Sequence, residues 1–267
     1  MTESKQLPCS IIDELKLYAY IVKLHLSKKK RDSKQVSIEY DKGLWAKKYE
    51  DIDFENIEGN YNKKSDQYSI FTINGKLFKG KYADYGKQYQ KQLFKILDTY
   101  IDESVVELGC GLGSNLFQLH HRNFKKLEGY DLSENVINSV KRYNSENNYN
   151  IHFDTLDLIK PFPKGIIDNK VIFTHTCLEQ LKNHMSDTLK NIIEGRPKMV
   201  INFEVDYDSE PFMVRGYLDT RNYQNNLVRE LRKLEKQKKI EIISIKKLPL
   251  ALTPVNRMSA IIWKIID

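Results

Sequence analysis

Hydrophobic residues recur along the chain with two different periods, and the order in which the periods alternate decides the fold class. Ile11, Leu15, Tyr18 and Val22 fall three or four residues apart, and Ile12, Leu17 and Ile21 widen the stripe. That spacing predicts an amphipathic N-terminal helix, whose commonest use is to cover a sheet. Phe94 and Leu97, with Leu93 and Ile96, repeat the helical period over 89–100. From 104 onward short apolar runs alternate with helical stretches. Strands are expected at 104–108, 127–130, 151–153, 171–174 and 199–203, and helices at 114–121, 133–143 and 180–193, with Ser133 a candidate cap. A long helix is expected over 219–238. The runs 240–245 and 259–265 flank a loop containing Pro249 and Pro254 and read as an antiparallel pair closing the sheet. Strand and helix in this alternation predict an α/β fold of the doubly wound, Rossmann-like kind. The stretch 37–86 has weak periodicity and many Tyr, Asp, Asn and Lys residues, so it reads as a small cap or embellishment.

Composition narrows the class of protein more than its chemistry. A chain of 267 residues with 40% hydrophobic and 30% charged residues is long enough for a substantial core and fits a soluble globular protein. Lys and Arg number 43 against 36 Asp and Glu, and the net charge of +7 favours anionic partners, phosphorylated small molecules as readily as nucleic acid or acidic lipid. Cys9, Cys110 and Cys177 are odd in number and lack metal-ligand spacing, so no metal and no disulfide framework is expected, and a reducing, cytoplasmic setting is. Asp13, Glu14, Lys16 and Lys23 interrupt the apolar N-terminal helix, which argues against membrane insertion. The basic run Lys28, Lys29, Lys30 and Arg31 that follows suits a solvated helix end better than an anion site.

The candidate chemistry lies in VVELGCGLGSNLFQL, from Val105 to Leu119, with Asp131 beyond it in LEGYDLSEN. An apolar strand, a glycine turn, a helix and an acid at the end of the next strand form a nucleoside site. Glycines admit the ligand to the backbone, and the later carboxylate accepts from ribose hydroxyls. Gly109, Gly111 and Gly113, with Cys110 and Asn115, belong to the turn and helix start; Glu107 sits where a carboxylate organises the turn or reaches a ligand amine; Leu132 follows Asp131. A nicotinamide dinucleotide is disfavoured, because GxGxG lacks the two-residue gap of GxGxxG and an acid precedes it.

In sequence order ELGCGLGSN, the acid of GYDLS, FDTLDL and THTCLEQL resemble the successive motifs of class I S-adenosylmethionine-dependent methyltransferases. The resemblance runs from about Tyr89 to the C-terminus. It implies a seven-stranded, mostly parallel sheet with an antiparallel last strand, and S-adenosyl-L-methionine as cofactor. Glu107, Gly109, Gly111 and Gly113 would surround its methionine portion, Asp131 its ribose, and Asp157 with Leu158 its adenine, Asp154 competing with Asp157. The chain then divides into a helical extension and cap over 1–88 and a methyltransferase core over 89–267, carrying an acceptor-site insertion around 207–226.

The loop following the fourth strand of that core, Thr174 to Glu179, would lie beside the transferable methyl. His175 could deprotonate or orient an acceptor, and Glu179 could hold the imidazole or a substrate amine. Glu204 approaches the same edge, and Arg215, Arg221, Asn222, Tyr223 and Asn226 could clamp a phosphate or carboxylate. This pairing of segments is similar to methyltransferases of bacterial surface-polysaccharide biosynthesis, including those implicated in methyl phosphoramidate decoration of capsules. The implied acceptor is a small anionic metabolite, over which Tyr40, Trp45 and Tyr49 could close. No RRM, KH or zinc motif points to nucleic acid. RNA or protein as acceptor, a non-catalytic methyltransferase-like partner, and a homodimer through the N-terminal helix are the alternatives.

Overall fold

The computed structural model describes residues 7–26, 68–101, 104–223 and 226–266. It opens with β1 (Leu7–Pro8) and α1 (Ile11–Leu26); β2 (Tyr68–Ile73) and β3 (Lys76–Lys81) then form a hairpin that leads into α2 (Tyr82–Tyr100). Alternation follows: β4 (Ser104–Leu108), α3 (Ser114–His121), β5 (Lys126–Asp131), α4 (Glu134–Glu146), β6 (Ile151–Thr155), β7 (Val171–His175), α5 (Met185–Glu194) and β8 (Met199–Val205). The remainder is α6 (Phe212–Thr220), α7 (Leu227–Lys236), β9 (Ile240–Lys247), β10 (Leu250–Ala251) and β11 (Met258–Ile265).

Among the described residues, seven strands form one sheet in the order β6-β5-β4-β7-β8-β11-β9. The pairs from β6 through β8 are parallel, and β11 runs antiparallel to both β8 and β9. The expected Rossmann-like sheet with its antiparallel last strand is therefore present. Alternate residues of the central strands feed two cores. Val105 and Phe173 pack with Leu93 and Leu97 of α2, Leu116 and Phe117 of α3, and Val140 of α4. Val106, Ile172 and Val200 pack on the other face with Leu189 and Ile192 of α5, Leu231 of α7 and Trp263. This double burial makes the strands read as apolar runs instead of alternating ones.

The structure corrects four expectations. The stretch before 86 is not a purely helical cap: β2 and β3 join β1 and β10 in a second sheet of order β1-β3-β2-β10. Asn74 and Gly75, with φ of 49° and 80°, make the hairpin turn, and an Asn-Gly pair is the sequence signal for it. The second helix begins at Tyr82, not 89, burying Tyr85 and Tyr89. The single helix expected over 219–238 is two, because Asn222 adopts φ of 55° and ends α6 while Leu227, Val228 and Leu231 start a new buried face. The helix expected from 180 begins at Met185, after one 3-10 turn at Leu178–Gln180.

Helix α1 forms as expected but does not lay its apolar stripe on the sheet. It packs against α6, burying Ile21, while Ile11, Leu15, Tyr18 and Val22 stay exposed. The Lys28 to Arg31 run, Tyr40, Trp45 and Tyr49 lie outside the described residues. Among the described residues no helix is long and apolar enough to cross a membrane.

One clasp ties the second sheet to the core, and another joins strand ends of the first sheet. The Gln92 side-chain amide donates to Leu250 O at 2.6 Å and accepts from Leu250 N at 3.2 Å, tying α2 to β10. Glu210, buried after β8, accepts from Lys247 Nζ and from Arg257 Nε at 2.9 Å. Glu210→Ala would leave two cations facing each other at a buried point. The expected result is a loss of about 3 kcal/mol of stability, read as a lower urea midpoint with an unchanged slope.

Candidate functional site

At the carboxyl edge, β4 delivers its chain into a turn whose three glycines all have left-handed backbone: φ is 73° at Gly109, 51° at Gly111 and 71° at Gly113. Their surroundings differ. A Cβ on Gly109 would lie 2.1 Å from Cys177 Sγ, and one on Gly113 would lie 2.8 Å from the Phe153 ring, whereas one on Gly111 would meet nothing within 4 Å. The outer glycines therefore allow packing, and the middle one borders open space. Gly109 N and Cys110 N both donate to Tyr130 O, at 2.7 and 3.0 Å, which ties the turn to the end of β5.

Asp131 ends β5 against this turn. Its Oδ2 accepts from Gly111 N and its Oδ1 from Ser133 N, both at 3.0 Å, so the carboxylate is held rigidly and each oxygen keeps a second lone pair. Burial pushes its pKa up, against the pull of these backbone donors. Glu107 is 1% exposed; its Oε1 accepts from Asn115 Nδ2 at 2.6 Å, and its Oε2 is buried without a partner. Burial raises its pKa to about 8, the Asn115 bond opposing and the Asp131 charge adding to the shift. A buried carboxylate oxygen without a partner carries a desolvation cost that a bound donor would relieve.

The Asn115 amide also reaches His175 Nδ1, at 3.5 Å, and His175 Nε2 lies 3.0 Å from the Tyr89 hydroxyl. The two amide hydrogens thus serve Glu107 and His175. With Nδ1 accepting from that amide the imidazole proton rests on Nε2 and Tyr89 accepts it; with the proton on Nδ1, Tyr89 donates to Nε2. Loss of solvent around the ring lowers the His175 pKa to about 4, so the imidazole is neutral near pH 7. Tyr89 was read from sequence only as part of a helix over 89–100. Nothing in a helical period separates a tyrosine that packs from one that also turns its hydroxyl to a histidine 86 residues away.

Other residues singled out by sequence are placed differently. Glu179 does not hold the imidazole; it is buried, accepting from Gln180 Nε2 at 3.0 Å and Asn256 Nδ2 at 3.2 Å. Glu204 is fully buried in β8, its Oε1 accepting from Cys177 N and Leu178 N at 3.0 Å. It braces the loop after β7, where Thr176 takes a strained φ of 56°, and is not exposed to an acceptor. Thr174 is buried too, its Oγ1 accepting from Asn202 Nδ2 at 3.0 Å. Asp157 accepts from Ile159 N at 3.2 Å and pairs with Lys160, whereas Asp154 pairs with Lys141 on an exposed part of β6. Leu158 is buried, while Leu132, next to Asp131, is 63% exposed, an apolar side chain at the rim of the site. Arg215 lies over the Tyr207 ring at 5.9 Å and Arg221 over Tyr223 at 5.8 Å; Asn222 and Asn226 lie in the turn between α6 and α7. Among the described residues no cluster of His, Cys, Asp and Glu could hold a metal ion.

Burial raises the Glu204 pKa to about 8, with the Glu179 charge adding to the shift. The folded state therefore retains this proton longer than the unfolded chain does. The stability contributed is full below the ordinary carboxylate range and is lost as pH rises toward about 8. Glu204→Gln cannot ionise and keeps an oxygen for the two backbone donors. Its melting temperature should fall less than that of the unsubstituted protein between about pH 5 and about pH 9.

A family model described as a methyltransferase domain matches residues 105–194, the span holding the glycine turn, Asp131 and the His175 loop. The matched span lies within a sheet of Rossmann-like, mostly parallel order. No curated protein sequence matches it. Magnesium protoporphyrin IX methyltransferase from Synechocystis PCC 6803, solved with bound S-adenosylmethionine, is similar in fold, with a TM-score of 0.55 at 14% identity over 88% of this chain and 98% of that one. A protein from Pyrococcus horikoshii OT3 gives a TM-score of 0.51 at 16% identity, over 68% of this chain and 91% of that one. The domain's residues fit S-adenosylmethionine: the orphaned Glu107 oxygen suits its ammonium, the held Asp131 carboxylate its ribose diol, and the space at Gly111 its close approach.

Proposed function

We propose that the protein transfers a methyl group from S-adenosylmethionine to an oxygen or nitrogen of a small anionic acceptor, with phosphorylated metabolites the first class to test. The observation that carries the reading is the buried, partnerless Oε2 of Glu107 in the same turn as the open Gly111 and the fixed Asp131. Glu107 would bind the cofactor's ammonium, Asp131 its ribose, and Asp157 with Leu132 and Leu158 its adenine. The bound cofactor supplies a methyl group already activated by a sulfonium leaving group.

On the protein's side the chain Glu107, Asn115, His175 and Tyr89 then has a defined task. With both ring nitrogens engaged and its basicity lowered, His175 orients Tyr89. An anionic acceptor oxygen attacks the methyl carbon with no proton to lose, a protonated nucleophile gives its proton to solvent, and the broken carbon–sulfur bond leaves S-adenosylhomocysteine. Tyr89 holds the acceptor's nucleophile in line, and alignment accounts for much of the rate. Support for an anionic acceptor comes from the net charge and from Arg215 and Arg221 after β8. A role in bacterial surface-polysaccharide biosynthesis belongs to the same proposal and rests on the motif resemblance alone.

The test is transfer of labelled methyl from S-adenosylmethionine into three pools: phosphorylated metabolites, RNA and protein. Label confined to the first supports the reading. Label confined to RNA or to protein replaces the acceptor class. Cofactor binding without transfer into any pool would favour a non-catalytic partner role.

A further inference from the structure

Helix α1 presents to solvent what an amphipathic helix ordinarily hides. At about 100° per residue, Ile11, Ile12, Leu15, Tyr18 and Val22 share one side, and they are 77%, 63%, 62%, 45% and 42% exposed. The opposite side is the one that meets the protein: Ile21 is buried, Leu17 is half-buried, and Asp13 is bound to Ser10 Oγ at 2.8 Å and faces Lys79. Single exposed apolar residues are ordinary, but a full helical stripe of them marks an interaction surface.

The charges bordering the stripe indicate what it meets. Lys16 and Lys23, seven residues and therefore two turns apart, lie exposed along one border, while the acidic Asp13 and Glu14 are drawn toward the protein and half-buried. Pairing two copies antiparallel through this stripe would set the Lys16 and Lys23 border of one copy against the same border of the other. A surface that accepts aliphatic side chains and offers negative charge beside them has no such conflict.

We propose that α1 docks the protein on an anionic phospholipid surface. Ile11, Leu15 and Val22 enter the acyl boundary, Tyr18 sits at the interface, and the two lysines meet headgroup phosphates. This is peripheral attachment: the helix lies in the plane of the bilayer and does not span it. It stands independently of the methyl-transfer reading.

The test is co-sedimentation of the full chain with phosphatidylcholine vesicles, with and without about one third phosphatidylglycerol. Binding to the anionic vesicles that weakens with added salt is expected. Leu15→Glu, which removes the apolar contact, and the double change Lys16→Glu and Lys23→Glu, which keeps the stripe, should each lower the partition coefficient by about tenfold or more. Unchanged circular dichroism and cofactor titration would show both variants folded. The proposal is overturned if the unsubstituted protein ignores anionic vesicles, or if both variants bind as it does. It is also overturned if analytical ultracentrifugation shows a dimer that Leu15→Glu converts to monomer without any vesicle binding, since the stripe is then a subunit interface.

Discussion

Asp131→Ala is expected to weaken S-adenosylmethionine binding by about 100-fold or more, the largest effect of any single change in the site. Two losses combine. The carboxylate's remaining lone pairs are the acceptors proposed for the ribose diol, and charge-assisted hydrogen bonds of that kind contribute about 1.5–3 kcal/mol each. The same carboxylate fixes the glycine turn by accepting from Gly111 N and Ser133 N. Calorimetric titration measures the effect, and Asp131→Asn separates the parts: it keeps an acceptor oxygen but loses the charge, so its affinity should fall between the two. Affinity unchanged in Asp131→Ala would remove Asp131 from the cofactor site.

Tyr89→Phe should leave cofactor affinity within about twofold of normal while lowering turnover by about 100-fold, because the ring still packs but the hydroxyl that aligns the acceptor is gone. His175→Ala should lower turnover to a similar degree through loss of Tyr89 orientation, and the two substitutions combined should cost little more than either alone. The pH profile gives a second readout. With the His175 pKa lowered to about 4, the rate should stay level from about pH 6 to about pH 8 with respect to this group. A descending limb near the ordinary histidine pKa that vanishes in His175→Ala would show that His175 carries the proton after all.

Much of the fold was legible in the sequence, and for a physical reason. Strands buried on both faces must be continuously apolar, so β4 and α3 could be placed at their observed bounds from Val105, Val106, Leu108, Leu116 and Leu119 alone. The glycine turn was legible because left-handed backbone leaves little choice of residue. What escaped depends on partners distant in sequence. Glu107, Glu179 and Glu204 are all acids near one sheet edge, but only the fold shows that Glu179 meets Asn256, that Glu204 Oε1 braces the loop after β7, and that Glu107 and Glu204 each keep one buried oxygen unpartnered, Glu107 alone beside the open Gly111 turn. Tyr89 escaped for the same reason. The helical period over 11–26 locates a helix, but Leu17 and Ile21, which widen its apolar stripe in sequence, lie on the side that meets the protein while the rest of the stripe is exposed, since periodicity does not say what covers a face.

The claim that joins these parts is that the glycine turn, Glu107 and Asp131 form a site for S-adenosylmethionine. Its most direct test is calorimetric titration of the folded full chain with S-adenosylmethionine in buffers of different ionisation enthalpy at about pH 7. The account predicts one site per chain and release of a proton on binding, because Glu107, held protonated up to about pH 8, ionises as it meets the cofactor's ammonium. A folded protein that takes up no cofactor at millimolar concentration would contradict it.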